Sequence, residues 1–466
     1  MSTICAPATS TGGAIAIIRI SGQDTQNILN KVFSKNLTLS PSHTAHFGQV
    51  MDKATEEIID DVLVTIFRAP HSYTGEDSAE ISCHASRYIV QQICSLLIKE
   101  GCAPAAPGEF TKRAFLNGKM DLSQAEAVAD LIASENRASH DIALNQLKGH
   151  FSNELAELRK QLLKLTSLLE LELDFSDHEE LEFADRTELK ALANTIDKRI
   201  QQLAQSFETG QAIKNGIPVA IVGKTNVGKS TLLNRLIHED KAIVSNIHGT
   251  TRDVIEDTTV INGITFRFID TAGIRNTTDE VERLGIERTY KKLQEARIIL
   301  WVIDNTPSES DLERIIESSA SKRLIVVCNK IDKTNITLPS PLVMPRKTQY
   351  AEFDSATTDN IIPIIKISAK HGANISNLES AIYTAADIPS IQEGDVIITN
   401  TRHYNALCQA HSNLQRVKEA FATNLSGDLI AEDLHSVLSD LAEITGGKIS
   451  SQETLNSIFS EFCIGK

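Results

Sequence analysis

Apolar positions fall into distinct textures along the chain. From about 121 to 173, Leu144, Leu147, Phe151, Leu155, Leu158, Leu162, Leu165 and Leu169 recur at helical intervals, and neither Pro nor repeated Gly breaks them. That spacing predicts long amphipathic helices. The acidic stretch 174–185 interrupts the pattern and reads as a solvated turn rather than a metal site, after which helical spacing resumes to about Gln211. Between Gly216 and about Ala386 short β-branched runs take over, at 219–222, 266–269, 298–303, 324–327 and 361–367. Runs that are apolar on both faces predict buried parallel strands. Past Pro389 helical spacing returns as far as the terminus, so an α/β module is expected to interrupt a helical domain whose two pieces pack together. The first 118 or so residues form a separate α/β region, with β-rich runs near 15–20 and 62–67 and turn signals at Ser21-Gly22 and Pro107-Gly108. The expected fold class is therefore multidomain, α/β plus all-α, divided at 1–118, 119–212, 213–386 and 387–466.

Composition narrows the function. At ~150 residues per domain, 466 residues give about three domains, and 41% hydrophobic with 23% charged residues is a globular profile. The formal charge of −15, from 46 basic and 61 acidic residues, argues against indiscriminate attraction to nucleic acid but leaves room for a local basic groove. No apolar run approaches the ~20 residues of a bilayer helix, and the stretch 14–18 is too short for a signal-peptide core, so a cytoplasmic protein with no membrane partner is expected. Seven scattered cysteines contain no Cys-x-x-Cys pair, six of them read as reduced filler, and 13 histidines form no ligand-spaced cluster, so no structural metal is expected.

The run 219–222 leads straight into Gly223-Lys224-Thr225-Asn226-Val227-Gly228-Lys229-Ser230, followed by a helix-like segment from Thr231. Strand, Gly-x-x-x-x-Gly-Lys-Ser loop and helix in that order form a phosphate cradle: backbone N–H groups and a helix N-terminus face the anion, Lys229 reaches the β- and γ-phosphates, and the Ser230 hydroxyl ligates Mg²⁺. Asn329-Lys330-Ile331-Asp332 follows another strand, and the Asp332 carboxylate can accept from the two N–H donors on guanine's N1 and N2, a pair adenine lacks. Ser368-Ala369-Lys370 sits where a loop would support the base. With Gly249-Thr250-Thr251-Arg252-Asp253 and Asp270-Thr271-Ala272-Gly273 between them, these motifs resemble a GTPase domain of the translation-factor type, in its chain order.

That likeness implies that Asp270 holds Mg²⁺ through water, that Thr251 joins Mg²⁺ when the γ-phosphate is present, and that the Gly273 N–H meets that phosphate. The expected GTP contacts are Asn226, Val227, Gly228, Lys229, Ser230 and Thr231; Ser245, Asn246, Ile247, His248, Gly249, Thr250 and Thr251; Asp270, Thr271, Ala272 and Gly273; and Asn329, Lys330, Asp332, Ser368, Ala369 and Lys370. Ile274 stands where many small GTPases carry a water-orienting Gln. Carboxylates in Asp279-Glu280-Val281-Glu282 are candidates for that task, Glu282 being the pick, against a plain solvated loop. Transition-state charge needs a cation: Asn226 with main-chain carbonyls of 245–250 can cage a monovalent one, with Arg252 and Arg275 as rival fingers and simple loop hydrogen bonding as the bland alternative for Asn226.

Two further segments, Pro107-Gly108-Glu109-Phe110-Thr111-Lys112-Arg113-Ala114-Phe115-Leu116-Asn117-Gly118-Lys119 and the terminal Cys463-Ile464-Gly465-Lys466, resemble the MnmE (TrmE) family of tRNA modification GTPases. Ser72-Tyr73-Thr74-Gly75-Glu76-Asp77 and Ser123-Gln124-Ala125-Glu126-Ala127 extend the likeness end to end. The resemblance implies an N-terminal folate-binding domain that dimerises, a helical domain from two chain segments and an inserted Ras-like GTPase domain. It implies a 5-formyl-tetrahydrofolate-type donor held by Arg19, Glu80, Lys119 and Lys466, and a K⁺ cage of Asn226, Ser245, Ile247 and Thr250, with Mg²⁺ on Ser230 and Thr251 and Glu282 in hydrolysis. It further implies an FAD-dependent partner, MnmG (GidA), in a heterotetramer or larger complex that adds an aminomethyl or carboxymethylaminomethyl group at C5 of the wobble uridine of tRNA. Cys463 is either a nucleophile toward uridine C6 or a shaper of the pocket. The family's usual pattern is departed from at Ser10-Thr11-Gly12-Gly13, at Cys83-His84-Ala85-Ser86 and at Ala106. A ribosome-assembly or signalling GTPase that only binds in a nucleotide-dependent way is the alternative.

Overall fold

The structure is a computed structural model that describes residues 2–10, 12–174, 186–238, 257–269, 295–319, 322–333, 361–389, 394–423, 425–447 and 452–460, together with Ile336, Leu338, Leu342, Ile391, Gln392, Phe462 and Gly465. Its contacts divide the chain into two compact units, one of Met1–Ala133, Ala143–Gln202 and Arg402–Lys466, the other of Ser134–Ile142 and Leu203–Thr401.

In the first unit, β1 (Ile4–Pro7), β2 (Ile15–Ser21), β3 (Thr44–Asp52), β4 (Glu57–Phe67), β5 (Ser78–His84) and β6 (Ala103–Pro104) form one sheet in the order β3-β4-β5-β2-β1-β6. The alternation along β2 shows why one face is covered: Ala16, Ile18 and Ile20 are buried beneath α1 (Thr25–Val32) and α2 (Arg87–Lys99), whereas Ile15, Ile17 and Arg19 point the other way. On that second face Phe47 pairs directly with Leu63, and both are exposed, as is Ile15. Helix α3 (Glu109–Leu116) carries Phe110, which is buried, onto Ile4 and Ala6.

Helices α4 (Leu122–Ala133), α5 (Arg137–Leu147), α6 (His150–Asp174) and α7 (Arg186–Asn215) follow. The predicted stripe is real: Phe151, Leu155, Leu158, Leu162, Leu165 and Leu169 of α6 are all buried, each worth roughly 1.5–3 kcal/mol relative to exposure. Gly149, at φ +85°, makes the turn between α5 and α6. The second helical segment begins later than its spacing predicts, at α11 (Thr401–Ala422) after the insert described below, and continues with α12 (Gly427–Thr445) and α13 (Gln452–Ser460). Residues 394–400 form neither helix nor strand, and they are tied down as the Ile398 N–H donates to Ser206 Oγ at 3.0 Å and Gln211 Nε2 donates to the Thr399 carbonyl at 2.6 Å. A Cβ on Gly210 would collide with the Ile398 carbonyl, so glycine there admits the close approach of this segment.

The Ser123–Ala127 motif is a polar knot of the helical part. Glu126 is buried and accepts from His403 Nε2 at 2.6 Å and from Arg402 Nε and Nη2 at 2.9 and 2.8 Å. Arg402 also donates to the Glu443 and Ile444 carbonyls at 2.8 and 2.9 Å, satisfying orphan acceptors at the end of α12.

The second unit is built on β7 (Ile217–Val222), α8 (Lys229–His238), β8 (Asp257–Ile261), β9 (Ile264–Phe268), β10 (Ile298–Ile303), α9 (Glu309–Ser318), β11 (Arg323–Cys328), β12 (Ile364–Lys366) and α10 (Ile375–Ala386). The sheet order is β12-β11-β10-β7-β9-β8, parallel except for β8, which runs antiparallel to β9. Each predicted run became a strand, and apolar side chains on both faces explain why: Leu300 and Val302 enter one core with Ile325 and Val327, while Ile299 and Trp301 enter another with Val326. Successive strands diverge to either side of β7, which puts a topological switch point at its carboxyl end.

Candidate nucleotide site and N-terminal notch

The phosphate loop leaves β7 at that switch point. Its three left-handed or positive-φ positions are Gly223 (+151°), Asn226 (+62°) and Gly228 (+98°). A Cβ on Gly223 would strike the Val302 carbonyl and one on Gly228 would strike Asn329 Nδ2, so both glycines are set by close approach as well as by dihedral. Val227 is buried between them, whereas Asn226 is exposed on the outer curve. Lys229 opens α8 and turns its Nζ back onto the Gly223 and Lys224 carbonyls at 2.8 and 2.6 Å, within the loop that a phosphate would fill. Ser230 and Thr231 occupy the first turn of α8, where the positive end of the helix dipole favours an anion.

The base loops converge on the same place. Asn329 is buried, donates to the Val227 carbonyl at 2.8 Å and accepts from the Ala369 N–H at 3.0 Å, joining phosphate loop, Asn-Lys-x-Asp loop and Ser-Ala-Lys loop through one amide. Ser368 Oγ donates to Asp332 Oδ1 at 2.8 Å, and this bond pulls the Asp332 carboxyl below its usual range. Lys330 Nζ bridges the Asn226 carbonyl at 2.6 Å and Asp304 Oδ2 at 2.7 Å. Lys370 is exposed beside Ala369. Sequence reasoning missed Asp304, which directly follows β10, and Asp311 of α9, whose Oδ2 pairs with Lys224 Nζ at 2.9 Å. A carboxylate at a parallel strand's carboxyl end was the available signal for Asp304.

Expected residues Ser245, Asn246, Ile247, His248, Gly249, Thr250, Thr251, Asp270, Thr271, Ala272, Gly273 and Glu282 lie outside the described residues, as do Cys463 and Lys466. Those that are described fit a nucleotide: glycines where the loop is tight, a lysine and a helix N-terminus for phosphate, and a carboxylate held in its charged form for the base.

In the N-terminal sheet Arg19 and Glu80 are cross-strand partners, with Arg19 Nε and Nη2 donating to Glu80 Oε1 at 3.0 and 2.7 Å. The Arg19 guanidinium lies 5.6 Å from the ring centres of both Tyr73 and Phe110, and its Nη1 donates to the Gly465 carbonyl at 3.2 Å. Lys119 does not join this pair but donates to the Pro70 carbonyl at 3.0 Å, ahead of the loop that carries Tyr73. That loop is anchored by Arg113, whose Nη1 and Nη2 reach Glu76 Oε2 at 3.1 Å and Glu109 Oε1 at 2.7 Å, so two of the motifs read in the sequence meet here. At the departures from the family pattern, Cys83 is buried, His84 pairs with Asp60 at 2.8 Å, and the Ala106 N–H donates to Glu109 Oε2 at 2.8 Å. Arg19 is thus held among the Glu80 carboxylate, the Gly465 carbonyl and two aromatic rings, of which Phe110 is fully buried.

A phosphate loop at the switch point of a mostly parallel α/β sheet, bound through one asparagine to the Ser-Ala-Lys loop, has the arrangement of a P-loop GTPase. Residues 122–463 match the family described as MnmE helical domain, and residues 3–119 the one described as GTP-binding protein TrmE N-terminus. Proteins named tRNA modification GTPase MnmE are similar throughout: that of Bacteroides fragilis is 51% identical over 473 residues, covering 100% of this chain and 99% of that protein. That of Flavobacterium johnsoniae is 49% identical over 476 residues with the same coverage. The chain belongs to the MnmE family of tRNA modification GTPases, and it is a GTP hydrolase acting in tRNA modification. Among the described residues no helix is long and apolar enough to cross a membrane.

Proposed function

We propose that this chain is a cytoplasmic, homodimeric GTPase that works with the FAD-dependent MnmG to place an aminomethyl or carboxymethylaminomethyl group at C5 of the wobble uridine, using a 5-formyl-tetrahydrofolate-type carbon. The observation that carries it is the single asparagine, Asn329, that ties the phosphate loop to both guanine-reading loops, in a chain of this family. Division at 1–118, 119–212, 213–386 and 387–466 follows, with the first segment binding folate and dimerising, the second and fourth forming the helical domain, and the third the GTPase.

In this reading Lys229 and the first turn of α8 bind the β- and γ-phosphates, and Asp332 selects guanine. Ser230 and Thr251 would hold Mg²⁺, which neutralises phosphate charge. Asn226, Ser245, Ile247 and Thr250 would hold K⁺ where a guanidinium finger would otherwise stand, and Glu282 orients the attacking water. Arg19 and Glu80 present donor and acceptor edges to the folate, with Lys119 and Lys466 toward its anionic tail, and Cys463 shapes or attacks within that pocket. The exposed Phe47 and Leu63 row, on the same sheet face as Arg19, supports a second copy as its cover. Hydrolysis drives conformational change and leaves the carbon transfer to the folate site.

Two measurements test this. Nucleoside analysis of tRNA from a strain lacking the gene is expected to show wobble uridine without its C5 substituent, restored by the wild-type chain; an unaltered modification would leave the nucleotide-regulated binding factor as the better reading. GTP turnover is expected to fall at least tenfold when Na⁺ replaces K⁺, and to be lost in Glu282→Ala with GTP affinity retained. Equal rates in both salts remove the cation cage, and loss of affinity in the variant reassigns Glu282.

A further inference from the structure

We propose that Asp304 is a positioning residue for GTP hydrolysis: through Lys330 it fixes the main chain at Asn226 and so couples guanine recognition to the cation beside the phosphates. This rests on the K⁺ reading above for the role of the Asn226 side chain, and on geometry for the rest.

Asp304 lies one residue beyond β10 and is assigned no contact with nucleotide. Its Oδ2 pairs with Lys330 Nζ at 2.7 Å, with side chains 25% and 35% exposed, so the pair is half-sheltered rather than a solvated surface contact. The same ammonium donates to the Asn226 carbonyl at 2.6 Å. One residue further along the loop, the Val227 carbonyl accepts from Asn329 at 2.8 Å. Two consecutive side chains of the base loop therefore grip two consecutive carbonyls of the phosphate loop.

The grip matters because of the backbone it acts on. Asn226 holds φ at +62°, a region Asn enters more readily than most residues, and Lys330 holds +61°, where a long side chain is uncommon and its bonds to Asn226 and Asp304 help to keep it. The direction of the Asn226 side chain follows from that dihedral. Asp304 neutralises Lys330 and sets where its ammonium stands, so the carboxylate acts on Asn226 at one remove. The Lys224 to Asp311 pair supplies an internal comparison: it holds a neighbouring loop residue by an exposed side chain and touches no loop carbonyl in that bond.

The experiment is a K⁺ titration of GTP turnover by the full chain, for the wild type, Asp304→Asn, Asp304→Glu and Asp311→Asn, with Na⁺ holding ionic strength constant. Asp304→Asn is expected to raise the K⁺ concentration for half-maximal rate at least threefold, with the rate at saturating K⁺ recovering to within twofold of wild type. Asp304→Glu is expected to restore part of the midpoint, and Asp311→Asn to move it less than twofold. A general loosening of the fold would instead lower the rate at every K⁺ concentration and leave the midpoint in place; that result overturns the proposal, as does an equal shift in Asp304→Asn and Asp311→Asn. If Asp304→Asn fails to fold, the Asp304→Glu midpoint decides, an unmoved value standing against the proposal. Wild-type rates that are equal in K⁺ and Na⁺ sink the cation reading and this proposal together, whereas a K⁺-dependent wild type with an unmoved Asp304→Asn midpoint sinks this proposal alone.

Discussion

Asp332 accepts a hydrogen bond from Ser368 on Oδ1, which holds its carboxyl below the usual range, while Oδ2 lies 3.9 Å from His371 Nε2. A charged acceptor there matches adjacent N–H donors and repels a carbonyl. Asp332→Asn exchanges an acceptor for a donor, so GTP affinity is expected to fall roughly 100-fold while XTP, with its extra carbonyl, becomes the preferred ligand. Competition of both nucleotides against a fluorescent GDP analogue measures this, and an unchanged order of preference would move base selection to another side chain. The Asn-Lys-x-Asp and Ser-Ala-Lys loops were legible as short motifs, and the fold brings them together at Asn329. Asp304 was not, since a residue that acts through another leaves no motif of its own.

Between helices, the buried Glu126 shows how charge can hold a helical layer together. Burial alone would push its carboxyl up, but the hydrogen bonds and charges of His403 and Arg402 outweigh that and hold it at about 2. Because this lies below the ~4.3 of an unfolded glutamate, the stabilisation is complete above that value and is lost as pH falls through about 2. Between about pH 5 and pH 2 the wild type is expected to lose roughly 3 kcal/mol more stability than Glu126→Gln, read from urea unfolding; parallel curves would assign the carboxyl's role elsewhere. The strands of the inserted module were readable to within a few residues because their apolar runs are short and two-sided. The helix break at Gly149 was hidden because Leu147 and Phe151 keep helical spacing across it, and the irregular segment before Thr401 was hidden because its apolar Ile397 and Ile398 carry no period of their own.

For the whole molecule, the GTPase motifs announced themselves, whereas the cluster around Arg19 joins a strand, a loop, a helix and Gly465, a combination no local spacing displays. Gly465 holds φ at +91°, and a Cβ there would collide with the Pro7 carbonyl. Gly465→Ala is expected to weaken binding of 5-formyl-tetrahydrofolate at least tenfold while GDP affinity stays within twofold, by calorimetry; equal folate affinity would show that the tail does not build the pocket. The outward pair Phe47 and Leu63 carries a consequence for abundance. In the homodimer proposed above, a chain too dilute to find its second copy would leave two oily side chains facing water, ready to adhere to unrelated surfaces. The amount a cell can use is thus bounded from below as well as from above.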